Sequence, residues 1–227
     1  YRDLIPDRYG GRFIASHLRI PKAGPVPDYV HFHKIRFQMI YCYKGWAKLV
    51  YEDQGKPFIF QAGDCVLQPP EIRHRVLENS DGFEVVEISS PASHMTCTDP
   101  ELDLPTREIS PDRDYNGQNF VQHIAKKAEW RPWRYPGFEA RDFGFFPATN
   151  GIAQASVVRS SGENEIFTAQ QDTEFHFIFL LRGGMAIQIQ GKDKYDLAEG
   201  DSITIPGGME YSMNNCPKGS EFLEILF

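Results

Sequence analysis

Short runs of apolar residues, many of them alternating with polar ones, recur along the whole chain. They are typical of β-strands, because successive side chains of a strand point to opposite faces. The clearest runs lie at residues 36–43, 46–52, 56–60, 65–69, 83–88, 177–181, 185–190, 202–206 and 222–227. Glycine-containing turns at 54–55, 62–64, 81–82 and 207–208 separate them. No long helical periodicity competes, so the pattern predicts an all-β sandwich or barrel.

The two halves of the chain share a spaced pattern of residues. At a shift of 138 positions the matching pairs are Gly24 and Gly162, Gln38 and His176, and Gly45 and Gly183. At a shift of 137 they are Gly63 and Gly200, Pro69 and Pro206, and the segments 84–88 and 221–225. A period this long excludes a solenoid and predicts two tandem copies of one β unit. We expect the copies at residues 1–90 and 118–227, joined by a connector rich in Pro and Asp at 91–117.

Composition and charge limit the kinds of partner and the cellular compartment that we expect for this chain. With 227 residues, 41% of them hydrophobic, the chain can bury the core of one large domain or two small ones. The net charge of −7 leaves no basic stripe for phosphates, so we expect no nucleic-acid partner. No apolar run approaches about 18 residues and no leader peptide is visible, so we expect no membrane partner. The four cysteines form no C-x-x-C pair, which favours free thiols and a cytoplasmic localisation.

Two histidines placed two positions apart, His31 and His33, bring candidate chemistry into a predicted strand. Residues two apart on a strand share a face, so both rings can enter a barrel. His74 can close the set from a neighbouring strand, and Gln38 can join it across a turn or bulge. Three imidazoles and an oxygen donor suit one divalent ion (Fe, Mn, Ni, Zn or Cu) and leave positions open for substrate. The alternative is that these polar groups are satisfied by adjacent strands.

This set of residues resembles the motifs of the cupin superfamily. The first motif, G-x5-6-H-x-H-x3-4-E-x6-G, is matched by Gly24, His31, His33, Gln38 and Gly45, with Gln in place of the usual Glu. The second, G-x5-P-x-G-x2-H-x3-N, is matched by Gly63, Pro69 and His74, with Glu71 and Glu78 at the Gly and Asn positions. The resemblance covers most of the chain. It implies a bicupin of two tandem jelly-roll β-barrels, with the metal motif intact only in the N-terminal copy, and a homo-oligomer such as a dimer.

The glutamine at position 38 changes the expected chemistry. Neutral donors leave the charge of a divalent ion uncompensated, which makes the ion a stronger Lewis acid and gives less help to a trivalent state. This favours lyase, isomerase or hydrolytic chemistry. Some cupin dioxygenases work with neutral histidine sets, so the resemblance leaves an O2-dependent reaction open. Gln38 could also be a non-ligand that hydrogen-bonds a water on the metal.

The second copy lacks most of the candidate ligands. At the four equivalent positions it has Ala169, Gln171, His176 and Tyr211. One imidazole, an amide and a phenol make a poor site for a divalent ion. We therefore expect this copy to serve as a packing partner, with an organic effector that contacts His176 and Tyr211 as the alternative.

Residues near the predicted ligands are candidates for contact with substrate. Strand alternation places Ile40 and Cys42 on the same face as Gln38, where they would form an apolar part of the pocket wall. Three arginines, Arg36, Arg73 and Arg75, lie close in sequence to the predicted ligands, and one directed inward could clamp a carboxylate through two hydrogen bonds, which would favour an acidic substrate. Solvation at the strand ends is the alternative for each of them.

A carboxylate close to the metal could move a proton during the reaction. Glu71 lies three residues before His74, in the turn expected near the barrel mouth. It is therefore the candidate general base, with surface exposure as the alternative.

Three functions are consistent with this candidate site. The first is a metal-dependent enzyme that acts on a small oxygenated, anionic organic compound by Lewis-acid chemistry of the lyase or isomerase type. The second is a cupin-type dioxygenase that cleaves a diketone or hydroxy-aromatic substrate with O2. The third is a non-catalytic cupin that binds a small molecule.

Overall fold

The computed structural model describes residues 1–162 and 167–227, and the chain divides into two compact units. The first unit comprises residues 1–126 and 148–150, and the second comprises residues 127–147 and 151–227. Regular structure is almost entirely antiparallel β, which confirms the predicted all-β class. The helical segments described are short: 3-10 turns at Pro6–Tyr9 and Ala125–Lys127, and an α-helical turn at Phe145–Ala148.

The first unit contains two sheets. Its strands are β1 (Arg2–Asp3), β2 (Ile14–Ile20), β3 (Gly24–Pro25), β4 (His31–Lys34), β5 (Phe37–Lys44), β6 (Trp46–Tyr51), β7 (Phe58–Gln61), β8 (Cys65–Leu67), β9 (His74–Asn79), β10 (Phe83–Ser90), β11 (Met95–Thr98) and β12 (Val121–His123). One sheet has the order β1-β2-β10-β5-β8-β12. The other has the order β11-β4-β9-β6-β7, with β3 also paired to β9.

Strand β5 shows how the alternating pattern builds this unit. Phe37, Met39 and Tyr41 point to one side and are buried, while Gln38 and Ile40 point to the other side. Apolar side chains on the second side belong to a cluster with residues of β6, β7, β8 and β10 from both sheets. Burial of such side chains contributes about 1.5–3 kcal/mol each to folding.

The second unit also contains two sheets. Its strands are β13 (Arg131–Pro132), β14 (Phe138–Asp142), β15 (Gln154–Ser160), β16 (Ala169–Gln170), β17 (His176–Arg182), β18 (Gly184–Ile189), β19 (Lys194–Ala198), β20 (Ser202–Ile205), β21 (Glu210–Asn214) and β22 (Glu221–Leu226). The sheet orders are β13-β14-β15-β22-β17-β20 and β16-β21-β18-β19. The order β15-β22-β17-β20 repeats β2-β10-β5-β8, and β16-β21-β18-β19 repeats β4-β9-β6-β7.

The matched glycines Gly45 and Gly183 have the same structural role in the two units. Gly45 lies between the consecutive strands β5 and β6, and Gly183 lies between β17 and β18. Their φ angles are positive, 74° and 85° respectively. A Cβ atom would collide with the hydroxyl of Ser80 at the first and of Ser220 at the second. A side chain is therefore excluded both by backbone conformation and by space.

Two further expectations can be compared with the structure. All four cysteines are free thiols, as predicted. Within the two described ranges, no helix has the length and apolar character needed to cross a bilayer.

Candidate metal centre

Three histidine side chains of the first unit converge on one point. His31 and His33 lie on β4, two positions apart, and His31 is directly opposite His74 of β9 in the strand register. One ring nitrogen from each lies within 4.8 Å of those of the other two. The ring centroids of His31 and His74 are 4.3 Å apart. Small movements of these rings would bring all three nitrogens to the roughly 2.1 Å bond length of a divalent ion.

The other ring nitrogen of each histidine has a partner. Nδ1 of His31 is 2.9 Å from the carbonyl oxygen of Tyr29, and Nδ1 of His74 is 3.0 Å from that of Ile72. Because a carbonyl oxygen can only accept, Nδ1 carries the proton in the neutral form of both rings, and Nε2 then carries the lone pair. Nδ1 of His33 contacts the hydroxyl of Thr96 at 3.0 Å. Such contacts orient metal-binding imidazoles in proteins, so the three residues fit a divalent ion.

The protonation of the rings also suits a metal. Burial lowers the pKa of His33 to about 4 and that of His74 to about 3, and the charge of His31 acts in the same direction on both. A hydrogen bond to Asp28 raises the pKa of His31 against the effect of burial. Metal ions bind neutral imidazole, so His33 and His74 are ready to bind at neutral pH.

The lowered pKa values predict that the metal-free protein loses stability as the pH falls from 6.5 to 5. Unfolded histidines take up protons near pH 6.5, whereas native His33 and His74 stay neutral to below pH 5. The unfolded state therefore binds more protons, and each ring costs about 1.4 kcal/mol per pH unit. His31 does not offset this loss, because the stability from its raised pKa is already complete below pH 6.5.

Urea unfolding of the metal-free protein at pH 7.0, 6.0 and 5.0 checks this slope. The range lies above most carboxylate titrations, so the histidines dominate it. A His33→Asn variant should show a shallower slope. A urea midpoint that stays level or rises towards pH 5 would refute the prediction.

Gln38 is held in a chain of hydrogen bonds beside the histidines. Tyr51 donates its hydroxyl to Oε1 of Gln68, and Nε2 of Gln68 donates to Oε1 of Gln38 at 3.0 Å. Nε2 of Gln38 in turn donates to Oε1 of Glu87 at 2.8 Å. The same Nε2 of Gln68 lies 3.4 Å from Nε2 of His74. The amide of Gln38 is therefore fixed in orientation, with one lone pair of its oxygen already used.

Glu87 is a site residue that the motif analysis did not identify. It lies on β10, and its Oε1 accepts hydrogen bonds from both Gln38 and Ser89. It also lines the cavity that contains the three histidines. The internal repeat held a signal for it, because Glu87 matches Glu224 within the aligned segments 84–88 and 221–225.

A cavity of about 580 Å³ opens inside the first unit, next to the histidines. Of the residues expected to contact substrate, Ile40 lines it. Cys42 is fully buried in the adjoining apolar cluster, and burial raises the pKa of its thiol far above the usual range. His94, which the motif analysis did not identify, also lines the cavity, with its ring 5.4 Å from that of His33.

Two of the three candidate arginines, Arg36 and Arg73, are not among the residues that line the cavity. Arg73 forms an ion pair with Asp99 at 3.2 Å, and its guanidinium lies over the ring of Phe32 at 4.2 Å. Arg36 is exposed at the strand end that precedes β5. Arg75, one residue after His74, does line the cavity.

Glu71 lies in the turn before β9, as expected, but it does not line the cavity either. Its φ of 65° is in the left-handed region, which explains why the second cupin motif usually has glycine there. Its backbone N–H donates to the carbonyl oxygen of His33 at 3.0 Å. Its main contact with the site is therefore made through the backbone.

The equivalent positions of the second unit hold no comparable cluster among the residues that the structure describes. Ala169 pairs with Tyr211 in the register of β16 and β21. His176 is on β17, at the start of the strand that matches β5, and its ring lies 5.3 Å from that of Tyr211.

The second unit contains a buried carboxylate with several hydrogen-bond partners. Glu224 of β22 accepts hydrogen bonds from Tyr135, His176, Trp133 and Arg134. Burial would raise its pKa, but the hydrogen bond and charge of His176, together with Arg134, lower it to about 2. Glu87 and Glu224 are equivalent in the internal repeat, and so are Gln38 and His176. Each glutamate therefore contacts the equivalent residue of its own unit, Glu87 contacting Gln38 and Glu224 contacting His176.

The comparisons with known proteins show a shared fold. No protein-family model and no curated protein matches the chain. The salicylate 1,2-dioxygenase of Pseudaminobacter salicylatoxidans is similar over 95% of this chain and 71% of its own, with a TM-score of 0.72 and 14% identity. The oxalate decarboxylase of Lactobacillus farciminis is similar over 99% and 80%, with a TM-score of 0.69 and 13% identity. That of Bacillus subtilis is similar over 95% and 68%, with a TM-score of 0.66 and 15% identity. At these identities the likeness shows the fold, which is the all-β cupin fold.

Proposed function

We propose that the first unit is a metal-dependent cupin enzyme that acts on a small organic carboxylate by Lewis-acid chemistry of the lyase or isomerase type. The convergence of His31, His33 and His74 at one cavity carries this proposal. A divalent ion held by the three Nε2 atoms would polarise an oxygen of the substrate. The identity of the ion among Fe, Mn, Ni, Zn and Cu is left to experiment.

The charge of the site supports an anionic substrate. The three rings and the amide of Gln38 are neutral donors, so they compensate none of the positive charge of a divalent ion. The carboxylate of Glu87, which contacts Gln38, offsets part of this charge and leaves the remainder for the substrate to balance. Two of the similar structures are named for carboxylate substrates, salicylate and oxalate. Both observations favour a carboxylate over a neutral sugar or alcohol.

We assign the proton transfer to Glu87 in preference to Glu71, because Glu87 lines the cavity. Gln38 and Ser89 both donate to its Oε1, which holds the carboxylate in place. Oε2 would then take a proton from the substrate and return it elsewhere. Tyr51 donates to Gln68, and Gln68 donates to Gln38, so this series of hydrogen bonds holds Gln38 and thereby positions the base.

A substrate panel, run with and without O2, tests the proposed reaction class. We expect turnover of a small carboxylate without O2 uptake, and a 10²- to 10⁴-fold lower kcat in Glu87→Gln with unchanged metal content. Glu84→Gln is the matched control, because Glu84 lies on the same strand and pairs with His17 outside the cavity lining. Equal activity of the two variants would exclude Glu87 as the base.

A dioxygenase is the second candidate, left open by the neutral donor set and favoured by the likeness in fold to a salicylate dioxygenase. Uptake of O2 in step with loss of a diketone or hydroxy-aromatic acid would select it over the lyase or isomerase reaction. An iron-loaded protein that consumes no O2 across such a panel would exclude it.

We further propose that the chain is a bicupin, in which the first unit carries the metal and the second unit is degenerate. The repeated strand order and the aligned motifs support this organisation. A homodimer is also part of the proposal, on the resemblance to cupins, and sedimentation of the purified protein measures it.

A further inference from the structure

The cavity of the first unit is larger than a two- or three-carbon acid requires. Its volume is about 580 Å³, within the range of about 300–1,000 Å³ in which proteins bind drug-sized ligands. One water molecule occupies about 30 Å³ of liquid. A very small acid at the histidines would therefore leave most of the cavity without a partner.

The wall formed by β5 and β10 changes from polar to apolar along the strands. Gln38 of β5 belongs to the hydrogen-bond chain beside His74 and lines the cavity, and its partner Glu87 lines it from β10, opposite Ile40 in the register. The lining changes from Gln38 to Ile40 along β5 and from Glu87 to Val85 along β10, in the same direction because the two strands are antiparallel. Two residues of a strand span about 6.6 Å, so the change occurs over roughly that distance.

The facing wall, formed by β6 and β9, changes in the same way. His74 and Tyr51 are opposite each other at the polar end, and Val76 and Leu49 are opposite each other two positions further on. These two apolar residues pack in one cluster with those of the β5 and β10 wall. The polar and apolar ends therefore coincide on both sides of the cavity.

We propose that the substrate carries an apolar body of several carbons behind its oxygen-bearing head, a specificity that deepens the proposed function and rests on it. The head lies at the histidines, next to Gln38 and Glu87. The body extends about 7 Å or more between Val85 and Leu49. Medium-chain or ring-bearing carboxylates have this shape, whereas two- and three-carbon acids do not.

Apolar side chains that merely formed a core would close on one another. Here they border a cavity of about 580 Å³, and side chains that face an empty space lose dispersion contacts on that side. An apolar ligand body restores these contacts. The residues that border the apolar end, among them Val85 and Leu49, then determine how long a ligand is accepted.

A chain-length series of unbranched 2-oxo acids, from pyruvate to 2-oxodecanoate, tests the inference. Titration calorimetry is performed on the protein loaded with Zn²⁺, which has no redox chemistry of its own. The head is constant in the series, and each added methylene should tighten binding about fourfold until the apolar end is filled. An affinity that is independent of chain length, or highest for pyruvate, overturns the inference.

Two opposite substitutions of one residue make the test independent of general damage. Val85→Ala should move the optimum to longer acids, and Val85→Phe should move it to shorter ones. Ile59→Ala, at an exposed position of β7, should leave the profile unchanged. If Val85→Ala and Val85→Phe move the optimum in the same direction, the size of the side chain at position 85 does not determine the preferred chain length, and the inference is wrong.

The zinc content of the protein is measured before each titration, which separates two kinds of failure. A parent protein that retains no zinc overturns the proposed function, and this inference with it. Zinc bound at one ion per chain with a flat chain-length profile overturns this inference alone.

Discussion

Replacing His31 and His33 together with alanine is expected to lower the bound metal from near one ion per chain to near zero. The two rings supply two of the three converging nitrogens, and a single imidazole from His74 cannot hold a divalent ion against water. Loss of an orienting partner alone costs about 10- to 100-fold in metal affinity, so loss of two ligands should exceed 100-fold. Elemental analysis of protein purified without added metal measures the change.

His17→Ala is the matched control for the double variant. Its Nε2 contacts Oε2 of Glu84 at 2.8 Å, and it does not line the cavity. The control should keep one ion per chain and a similar melting temperature. Full metal content in the double variant would contradict the account, and a parent content near two ions would assign a second site to the other unit.

Replacing Glu224 with glutamine is expected to destabilise the second unit by about 3–5 kcal/mol, as for other broken buried ion pairs. Glu224 is 1% exposed and accepts hydrogen bonds on both oxygens. A glutamine has one acceptor oxygen and presents an N–H₂ group to donors such as Arg134 and Trp133. Arg134 would also keep its charge without a counterion.

Urea unfolding followed by tryptophan fluorescence measures this loss, since Trp133 donates directly to Glu224. Glu221→Gln is the control on the same strand, because its ion pair with Arg182 is longer, at 3.6 Å, and more exposed. The control should change stability by less than about 1 kcal/mol. Equal effects of the two substitutions would show that the network around Glu224 adds nothing specific.

The sequence predicted the fold class because strand signals are local. Alternation within runs such as 36–43 identifies a strand without knowledge of its neighbours, and glycines such as Gly45 mark its end. The shift of 137 or 138 positions also predicted that the halves would share one strand order. The pairing partners of short strands such as β11 and β12 depend on tertiary contacts, so the pattern could not supply them.

The histidine cluster could be predicted from the sequence, since His31 and His33 share a predicted strand and the resemblance to the second cupin motif includes His74 with Gly63 and Pro69. Glu87 could not, because its approach to Gln38 depends on the register between β5 and β10. Residues close in sequence to a ligand can point elsewhere, as Arg73 does towards Asp99.

The second unit shows the same limit. The residues at positions 169, 171, 176 and 211 indicated that the second copy lacks most of the candidate metal ligands. They did not indicate which interactions take the place of a metal site. Glu224 and Tyr135 are 89 residues apart and meet only because β22 lies in the interior of a sheet whose order is not readable from spacing. The identity of a buried network thus depends on long-range pairing.

Anomalous diffraction from crystals of the Zn²⁺-loaded protein tests the central claim most directly. We predict one strong peak per chain, about 2.0–2.1 Å from Nε2 of His31, His33 and His74. A peak at another place, or rings of these residues that turn away from one another, would contradict it.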